Sequence, residues 1–256
     1  MKNVSTQQKQ LRLITIPVSH YCEKVRWALT KLKLPYVEEA HTPLFHRFAT
    51  GSVGGKSTPV LVTETGVFTD STDILQYLNK LVPDNAKLYP IDSELRLKVE
   101  ELEDLFDRQL GPAIRTWAYF YTINDSKFIK SKWTQGVPFV EEALFPVVFP
   151  LMRQVVRQAY NVNAESAAEA YEQIQSIFEK VNQLLADGRT YLVGDSLSAA
   201  DITFAALAAP VISPPEHPIK SSFLQNSPSE MTSKINTFRE TPAGAYVLRL
   251  YHDRNN

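Results

Sequence analysis

The apolar periodicity of this 256-residue chain changes once, near residues 83–92, and this change constrains the fold more than any other feature. Before it, short β-branched runs alternate with amphipathic segments, which is typical of a small α/β unit. After Pro90, apolar residues recur three and four positions apart, as in helices. We therefore predict a disordered tail at residues 1–10, an α/β domain at 11–83, a linker at 84–91 and an all-helical domain at 92–256.

Charge and hydropathy exclude several classes of function. The chain has 27 Lys and Arg residues against 28 Asp and Glu residues, so it supplies no strong field for nucleic acid or an anionic membrane surface. Its two apolar stretches, residues 143–151 and 204–212, are shorter than the roughly 20 residues of a membrane-spanning helix. We expect neither nucleic-acid binding nor membrane binding.

Cysteine and histidine usage argues against disulfides and metal sites. Cys22 is the only cysteine, which excludes an intrachain disulfide and every multi-cysteine zinc cluster. Only His41 and His46 have a spacing that could bind a metal, and they lack acidic partners nearby in the sequence. The opening segment is polar, without the apolar block of a secretory signal. We predict a cytoplasmic protein with no metal and no cofactor.

The first candidate for chemistry is the turn between a predicted strand, Leu11–Pro17, and the helix that follows it. A helix N-terminus stabilises an anion through free amides and the helix dipole. Ser19 lies at the mouth of this turn, and its alternative role is a simple helix cap. Cys22 is a nucleophile if exposed, but its spacing with Val25 and Leu29 favours an inert position in the core.

Two further pairs stand at turns of the first domain. Thr58-Pro59 directly precedes a predicted hairpin, where a cis-proline can turn a backbone amide and carbonyl towards a peptide. Asp70-Ser71 opens the third predicted helix, where a hydroxyl and backbone amides converge on one point. Each pair alone is common turn chemistry.

Together these features resemble the glutathione transferase superfamily. The turn is followed by EKVRWAL, then by STPVLV, a glycine-containing hairpin and DSTDILQYL, in the order of the family's thioredoxin-like domain. In the second domain GDSLSAADITFA, with a predicted capping box between Ser198 and Asp201, resembles a segment of the family's helical domain. The resemblance implies an α/β thioredoxin-like N-terminal domain followed by an all-α helical-bundle C-terminal domain.

The resemblance also implies roles for individual residues. Ser19 matches the hydroxyl that hydrogen-bonds the glutathione sulfur in serine-type members, with Cys22 as the less favoured alternative. The expected glutathione-binding residues are Lys56, Thr58, Pro59, Asp70 and Ser71. His20 stands where redox relatives often have proline, and the first cysteine of a Cys-x-x-Cys pair is absent, so dithiol exchange within one chain is excluded.

In the helical domain the resemblance places a pocket for an electrophilic co-substrate beside residues 115–121. Arg115, Trp117 and Tyr121 are the candidate pocket residues, and an aromatic core cluster is the alternative interpretation. We expect the inserted segment Trp133 to Leu151 to cover this pocket. Pro146 and Pro150 predict a kink or break in any helix there.

Three functional hypotheses follow. The first is a glutathione transferase that adds the thiolate of glutathione to a small apolar electrophile. The second is a non-catalytic ligand-binding protein of the same fold, and the third is a monothiol glutathione-dependent reductase that uses Cys22. The resemblance also implies a homodimer and a role in detoxification, with glutathione as a substrate rather than a bound cofactor.

Overall fold

The first part of the chain forms a four-stranded sheet flanked by helices. The structure is a computed structural model that describes residues 11–219 and 227–254, so the predicted tail lies outside the described residues. The strands are β1 (Leu11–Thr15), β2 (Tyr36–Ala40), β3 (Val60–Val62) and β4 (Val67–Phe68), in the spatial order β2-β1-β3-β4. β1 pairs parallel with β2 and antiparallel with β3, which pairs antiparallel with β4. The helices are α1 (His20–Lys31), α2 (His46–Gly51) and α3 (Ser71–Lys80).

The helix α1 forms because its apolar residues share one face and its first turn is capped. Cys22, Val25 and Leu29 are fully buried against the sheet and the helical part of the chain. Ser19 precedes the helix in extended conformation, and its hydroxyl oxygen accepts a hydrogen bond from the Cys22 amide. The β1-to-α1 turn is therefore held rigidly at the edge of the core.

The rest of the described chain is helical. It contains α4 (Ser93–Leu105), α5 (Gly111–Thr122), α6 (Ser126–Trp133), α7 (Phe139–Ala159), α8 (Ala164–Leu185), α9 (Ala199–Ile212), α10 (Ser229–Arg239) and α11 (Pro242–Arg254). A π-helical turn, Phe106–Leu110, joins α4 to α5. A Cβ at Gly111 would collide with the Tyr21 hydroxyl, so glycine at this position lets α5 approach the first turn of α1. The sheet-and-helix architecture followed by a helical region confirms the predicted fold class.

The helix α7 does not break at its prolines. Sequence predicts a kink or break at Pro146 and Pro150, but one helix runs from Phe139 to Ala159. Each proline removes one backbone hydrogen-bond donor. The buried face made by Phe145, Phe149 and Met152 continues through both positions, and this packing offsets the lost hydrogen bonds.

Buried apolar side chains form two separate clusters. The main core runs through both parts of the chain, from Leu13 and Trp27 to Trp117 and Phe204. The smaller group, here the α6–α7 cluster, consists of Ile123, Phe128, Ile129, Trp133, Phe145, Phe149, Met152, Val156 and Val162. The helices α6 and α7 thus pack as a peripheral layer beside the main core.

The predicted capping box at α9 is present and fully buried. The Asp201 carboxylate accepts hydrogen bonds from the Ser198 amide and hydroxyl, both at 2.7 Å, and from the Leu192 amide at 2.8 Å. The Tyr246 hydroxyl donates to the same carboxylate. These bonds satisfy the buried charge and fix the start of the helix against which α1 packs.

Within residues 11–219 and 227–254, none of the helices combines the length and the hydropathy that crossing a bilayer requires.

Candidate active site

Two recesses meet beside the start of α1. The first, here the polar cleft, has a volume of about 690 Å³ and lies between α1, the loop before β3, α3, α4 and the π-helical turn. The second, here the apolar cavity, has a volume of about 210 Å³ and lies between the β1-to-α1 turn, α2, α5, α6 and α7. Four residues line both: Tyr21, Ser57, Thr58 and Arg115. A ligand in one recess can therefore touch a ligand in the other.

Ser19 lines the apolar cavity at its junction with the first turn of α1. Its hydroxyl oxygen accepts a hydrogen bond from the Cys22 amide, 3.3 Å away, and the hydroxyl also lies within hydrogen-bonding reach of the Cys22 thiol. The residue is only partly buried. Ser19 therefore caps α1 at the wall of the apolar cavity, and its role towards a ligand thiol stays a prediction.

Cys22 has no access to either recess. Its side chain is fully buried and lines neither the polar cleft nor the apolar cavity. Burial raises the pKa of its thiol, and the nearby Arg26 guanidinium lowers it by less. A neutral, enclosed thiol is a poor nucleophile, as its apolar spacing in α1 suggested.

The Thr58-Pro59 peptide bond is cis, and both residues line the polar cleft. Thr58 lines the apolar cavity as well, which places its backbone where the two recesses meet. Lys56, two residues earlier, is exposed and lines neither recess. The geometry thus brings Thr58 and Pro59 to the site, but not Lys56.

Asp70 and Ser71 line the far end of the polar cleft, at the start of α3. The Asp70 carboxylate accepts hydrogen bonds from the Thr72 amide at 2.8 Å and the Asp73 amide at 3.3 Å, so it caps the helix. Ser71 is buried. Carboxylates dominate this cleft, with Asp70, Asp73, Glu100, Glu103, Asp104 and Asp107 facing two arginines, Arg108 and Arg115. Such a cleft suits a ligand that carries an ammonium group.

The pocket-lining face of α5 differs from the one predicted. Arg115 lines both recesses, as expected, but Trp117 is fully buried in the main core. Tyr121 lies elsewhere, where its hydroxyl donates to Glu230 at 2.7 Å and accepts from Lys234 at 3.0 Å. The residues of α5 that line the apolar cavity are Arg115, Ala118, Tyr119 and Thr122. Trp117 and Tyr121 line neither recess, because these residues continue a core stripe that starts at Ile114.

The helices α6 and α7 cover the apolar cavity, mostly with residues that the sequence analysis did not name. They contribute Phe128, Ile129, Lys132 and Trp133 near the end of α6, and Met152, Val155, Val156, Ala159 and Tyr160 at the end of α7. The segment expected to cover the pocket, Trp133 to Leu151, supplies only its first residue. Nothing in the local sequence identifies these contacts, because they depend on the path of the chain through Pro146 and Pro150.

Two histidines line the apolar cavity as neutral groups. Burial and the Arg115 charge lower the pKa of His20 to about 3, against a weaker opposite effect of its hydrogen bond to the Gly111 backbone. Burial and the Arg47 charge lower the pKa of His46 to about 4. Neither ring carries a charge near neutral pH.

A third histidine ties α7 to the first part of the chain. His41 Nδ1 lies 2.6 Å from Glu141 Oε1, and the second oxygen of Glu141 accepts from the Thr42 amide at 2.8 Å and hydroxyl at 3.0 Å. His41 Nε2 lies 3.1 Å from Glu39. The expectation that His41 lacks acidic partners nearby in the sequence is wrong, since Glu39 is two positions away, and the fold also brings Glu141 to it from 100 positions away. In the described part of the chain, no group of three or more His, Cys, Asp or Glu side chains is arranged so that it could hold a metal ion.

Comparison with solved structures shows the same architecture throughout the chain. A glutathione S-transferase from Methylobacterium radiotolerans, crystallised with glutathione sulfonate, is 21% identical, with 94% of this chain and 95% of that chain covered and a TM-score of 0.56. The β-etherase LigF from Sphingobium sp. strain SYK-6 is 19% identical over 94% of this chain and 99% of that chain, with a TM-score of 0.59. Ure2p5 from Phanerochaete chrysosporium, cocrystallised with 1-(S-glutathionyl)-2,4-dinitrobenzene, is 17% identical over 96% of both chains, with a TM-score of 0.57.

Family models identify the two parts of the sequence separately. The model described as glutathione S-transferase, N-terminal domain, matches residues 13–86. The model described as glutathione S-transferase, C-terminal domain, matches residues 164–224. A comparison with curated protein sequences gave no significant match. The two family models, which agree with the sheet and helices described above, show that the chain belongs to the glutathione transferase superfamily.

Proposed function

We propose that the protein is a glutathione transferase that stabilises the glutathione thiolate at Ser19 and joins its sulfur to an electrophilic carbon in the apolar cavity. One observation carries this proposal. Ser19 stands at the amino end of α1 and lines the apolar cavity, next to the residues that this cavity shares with the polar cleft. A peptide thiol that reaches out of the cleft would meet this hydroxyl and the electrophile together.

Glutathione would lie along the polar cleft. Its γ-glutamyl carboxylate would meet the amide and hydroxyl of Ser71 at the start of α3, and its ammonium group would meet the surrounding carboxylates. Its cysteinyl backbone would pair with the backbone of Thr58, beside the cis bond to Pro59. The glutathione sulfonate complex of the structurally similar enzyme from Methylobacterium radiotolerans supports a glutathione site in this fold.

One hydroxyl is enough to account for the free energy needed to ionise the glutathione thiol. Lowering the pKa of a thiol from about 8.5 to about 6.5–7 requires roughly 2–2.7 kcal/mol. A hydrogen bond from a hydroxyl to a thiolate supplies about 1.5–3 kcal/mol, and a helix N-terminus adds about 0.3–1 kcal/mol. Ser19 and the α1 dipole together therefore supply enough free energy.

The reaction is then a substitution or an addition at carbon. The thiol proton passes to solvent, and the thiolate electron pair forms the new carbon–sulfur bond. In a substitution the leaving group departs with the electrons of its own bond, whereas in an addition the neighbouring carbon takes up a proton. The apolar walls keep water away from the electrophile while the bond forms.

The reductase alternative would need an accessible thiolate at Cys22. Full burial of this side chain and its raised pKa argue against that chemistry. The non-catalytic alternative predicts glutathione or ligand binding without turnover, so a kinetic experiment separates it from the transferase.

The decisive experiment compares Ser19→Ala, Ser19→Thr and Cys22→Ala. Ser19→Ala should lose the ultraviolet absorbance of bound thiolate and lower kcat/KM for 1-chloro-2,4-dinitrobenzene by about 10- to 100-fold, or about 1.4–2.7 kcal/mol. Ser19→Thr keeps a hydroxyl and should retain part of both signals. Ser52→Ala, an exposed serine at the end of α2, is the matched control. Unchanged thiolate absorbance and turnover in Ser19→Ala would contradict the proposal, and loss only in Cys22→Ala would favour the reductase.

A further inference from the structure

The helix α7 presents an apolar surface to water. One face of the helix packs on the α6–α7 cluster through Phe145, Phe149 and Met152. Away from this face, five large apolar side chains are each exposed by between 42% and 81%, beginning with Phe139 at the start of the helix. The other four share one line along the helix and are here called the α7 stripe: Val140, Leu144, Val147 and Leu151. A contiguous apolar patch of this kind marks an interaction surface.

The spacing of the α7 stripe matches the contact line of two paired helices. Its four members follow one another at intervals of four, three and four residues, which is the pattern by which one helix packs along another. At 3.6 residues per turn, the four side chains fall within about 60° of one another around the helix axis. The α7 stripe is therefore a narrow seam that fits another helix.

The same spacing is unchanged when the helix is reversed. The four residues are placed symmetrically about the midpoint of the α7 stripe. If two α7 helices run antiparallel about a two-fold axis through this point, Val140 of one copy lies opposite Leu151 of the other, and Leu144 lies opposite Val147. A two-fold interface must match itself in this way, because both copies use the same surface. The spacing thus favours a second copy of this chain as the partner.

Charge also favours a second copy over a membrane surface. Between Phe139 and Met152 the only charged residues are Glu141, which is buried, and Glu142. The two copies therefore meet without like charges on the α7 stripe. A helix that lies on a membrane normally carries Lys and Arg beside its apolar face, and this stretch has neither. The polar segment 1–10 has too few apolar side chains to cover the α7 stripe.

The exposed area reaches the size of a specific interface. At about 100 Å² for each, the five exposed side chains leave on the order of 500 Å² of apolar surface in water. Two copies would bury about 1,000 Å², which is near the lower limit for a specific protein–protein interface. The exposed residues Ala143 and Pro150 flank the α7 stripe and add to the contact. An interface of this size corresponds to a weak and reversible association.

We propose that two copies of this chain associate through the α7 stripe, with their α7 helices antiparallel about a two-fold axis. The same helix supplies Met152 and Val156 to the wall of the apolar cavity. Association therefore holds this wall in place, and amides of α6 and α7 should exchange more slowly at high protein concentration. The inference concerns the assembly of the protein and does not depend on the proposed transferase activity.

Cross-linking tests the antiparallel arrangement directly. Val140→Cys and Leu151→Cys are prepared separately, while the native Cys22 is buried and does not react. After the two variants are mixed and oxidised with copper phenanthroline, mass spectrometry should find a disulfide-linked dimer that contains one chain of each. Neither variant alone should form this dimer, because identical residues lie about 16 Å apart along the axis of an antiparallel pair, beyond the reach of a disulfide.

A charge on the α7 stripe tests the association in solution. Val147→Glu brings two carboxylates into the two-fold interface, so the association constant from sedimentation equilibrium should fall by about 100-fold or more. If a second surface also joins copies, the largest species should lose half of its mass. Gln158→Glu adds the same charge to an exposed position in the last turn of α7 and should leave the association unchanged. Both substitutions lie on the surface, so the fold should be kept.

Each result decides the inference. A mixed disulfide that forms only in the mixture, together with weaker association of Val147→Glu, supports it. No disulfide in the mixture, equal yields in either variant alone, or unchanged association of Val147→Glu overturns it. Binding of the wild-type protein to phosphatidylcholine vesicles that Val147→Glu abolishes, with no association between copies, also overturns it and assigns the α7 stripe to a lipid surface.

Discussion

The polar cleft and the apolar cavity differ in the part of the structure that supports them. The cleft is walled by α1, α3, α4 and the π-helical turn, all packed on the main core. The outer wall of the cavity is made by α6 and α7, which pack on their own smaller cluster. We therefore expect one half of the site to be as stable as the whole fold, and the stability of the other half to depend on how a peripheral layer is attached.

In each half, buried contacts between charged or titratable side chains attach helices to the sheet-bearing part. Behind the polar cleft, Lys24 of α1 lies 2.8 Å from Glu103 and 2.6 Å from Asp107, with no exposed side-chain surface on the lysine. At the apolar cavity, Glu141 of α7 binds His41 and Thr42. Breaking the contacts of Lys24 should therefore destabilise the whole protein, whereas breaking those of Glu141 should destabilise only α6 and α7.

The largest effect is expected from Lys24→Met. The variant leaves the carboxylates of Glu103 and Asp107 close together without their cation, and breaking a buried ion pair in this way costs about 3–5 kcal/mol. Urea unfolding followed by circular dichroism should show this loss in the free energy of unfolding of the whole protein. Lys31→Met, which changes an exposed lysine of the same helix, should change it by less than about 0.5 kcal/mol. A similar small change in Lys24→Met would refute the global role.

Glu141→Ala should have a smaller and local effect. It leaves the buried Thr42 amide without its partner and removes the contact to His41, at a cost of about 1–3 kcal/mol. Hydrogen exchange should speed up in α6 and α7, while amides of the main core keep their protection. Glu142→Ala, the exposed neighbour, should leave exchange unchanged. Equal loss of protection in α9 would show that the two clusters unfold as one unit.

The smallest effect is expected from pH. The stability that the contact between His41 and Glu141 gives to α7 should change as His41 titrates. Burial lowers the pKa of His41, but its hydrogen bonds to Glu141 and Glu39 outweigh burial, so the folded-state pKa is raised. The stabilisation is therefore fully present below the unfolded-state pKa of about 6.5 and is lost as the pH rises through the folded-state value.

His46 changes stability in the opposite direction, because its lowered pKa makes it resist protonation as the pH falls below about 6.5. We therefore measure hydrogen exchange in α7 for both the wild-type protein and His41→Asn and take the difference, because His46 contributes equally to both proteins. The difference in α7 exchange, corrected for the intrinsic rate, should be larger at pH 6 than at pH 9. A difference that grows with pH would contradict the assigned role of His41.

Local patterns in the sequence predicted the parts of the fold that depend on neighbouring residues. The apolar spacing of Cys22, Val25 and Leu29 predicted α1 and the burial of the thiol, and both are observed. The Thr58-Pro59 pair was expected to be cis from its place before the hairpin, and it is. These features are encoded within a few turns of chain.

The rest of the site depends on contacts between distant segments. Trp117 lies seven positions after the buried Leu110, which is two helical turns. Both residues therefore lie on the same buried stripe, and Trp117 does not line a recess. By contrast, the local sequence does not predict the contact between His41 and Glu141 or the position of Lys132 at the apolar cavity. Both depend on the full path of α6 and α7. Of the kink or break that the proline rule allowed in α7, the break does not occur, because tertiary packing outweighs two missing hydrogen bonds.

The separate attachment of α6 and α7 has a consequence for protein engineering. Substitutions in α6 and at the end of α7 would change one wall of the apolar cavity. They would leave unchanged the residues of the polar cleft that we propose to bind glutathione. A combinatorial library restricted to these two segments could therefore be screened for new substrate specificities. All of its members would keep the same proposed site for the glutathione thiol.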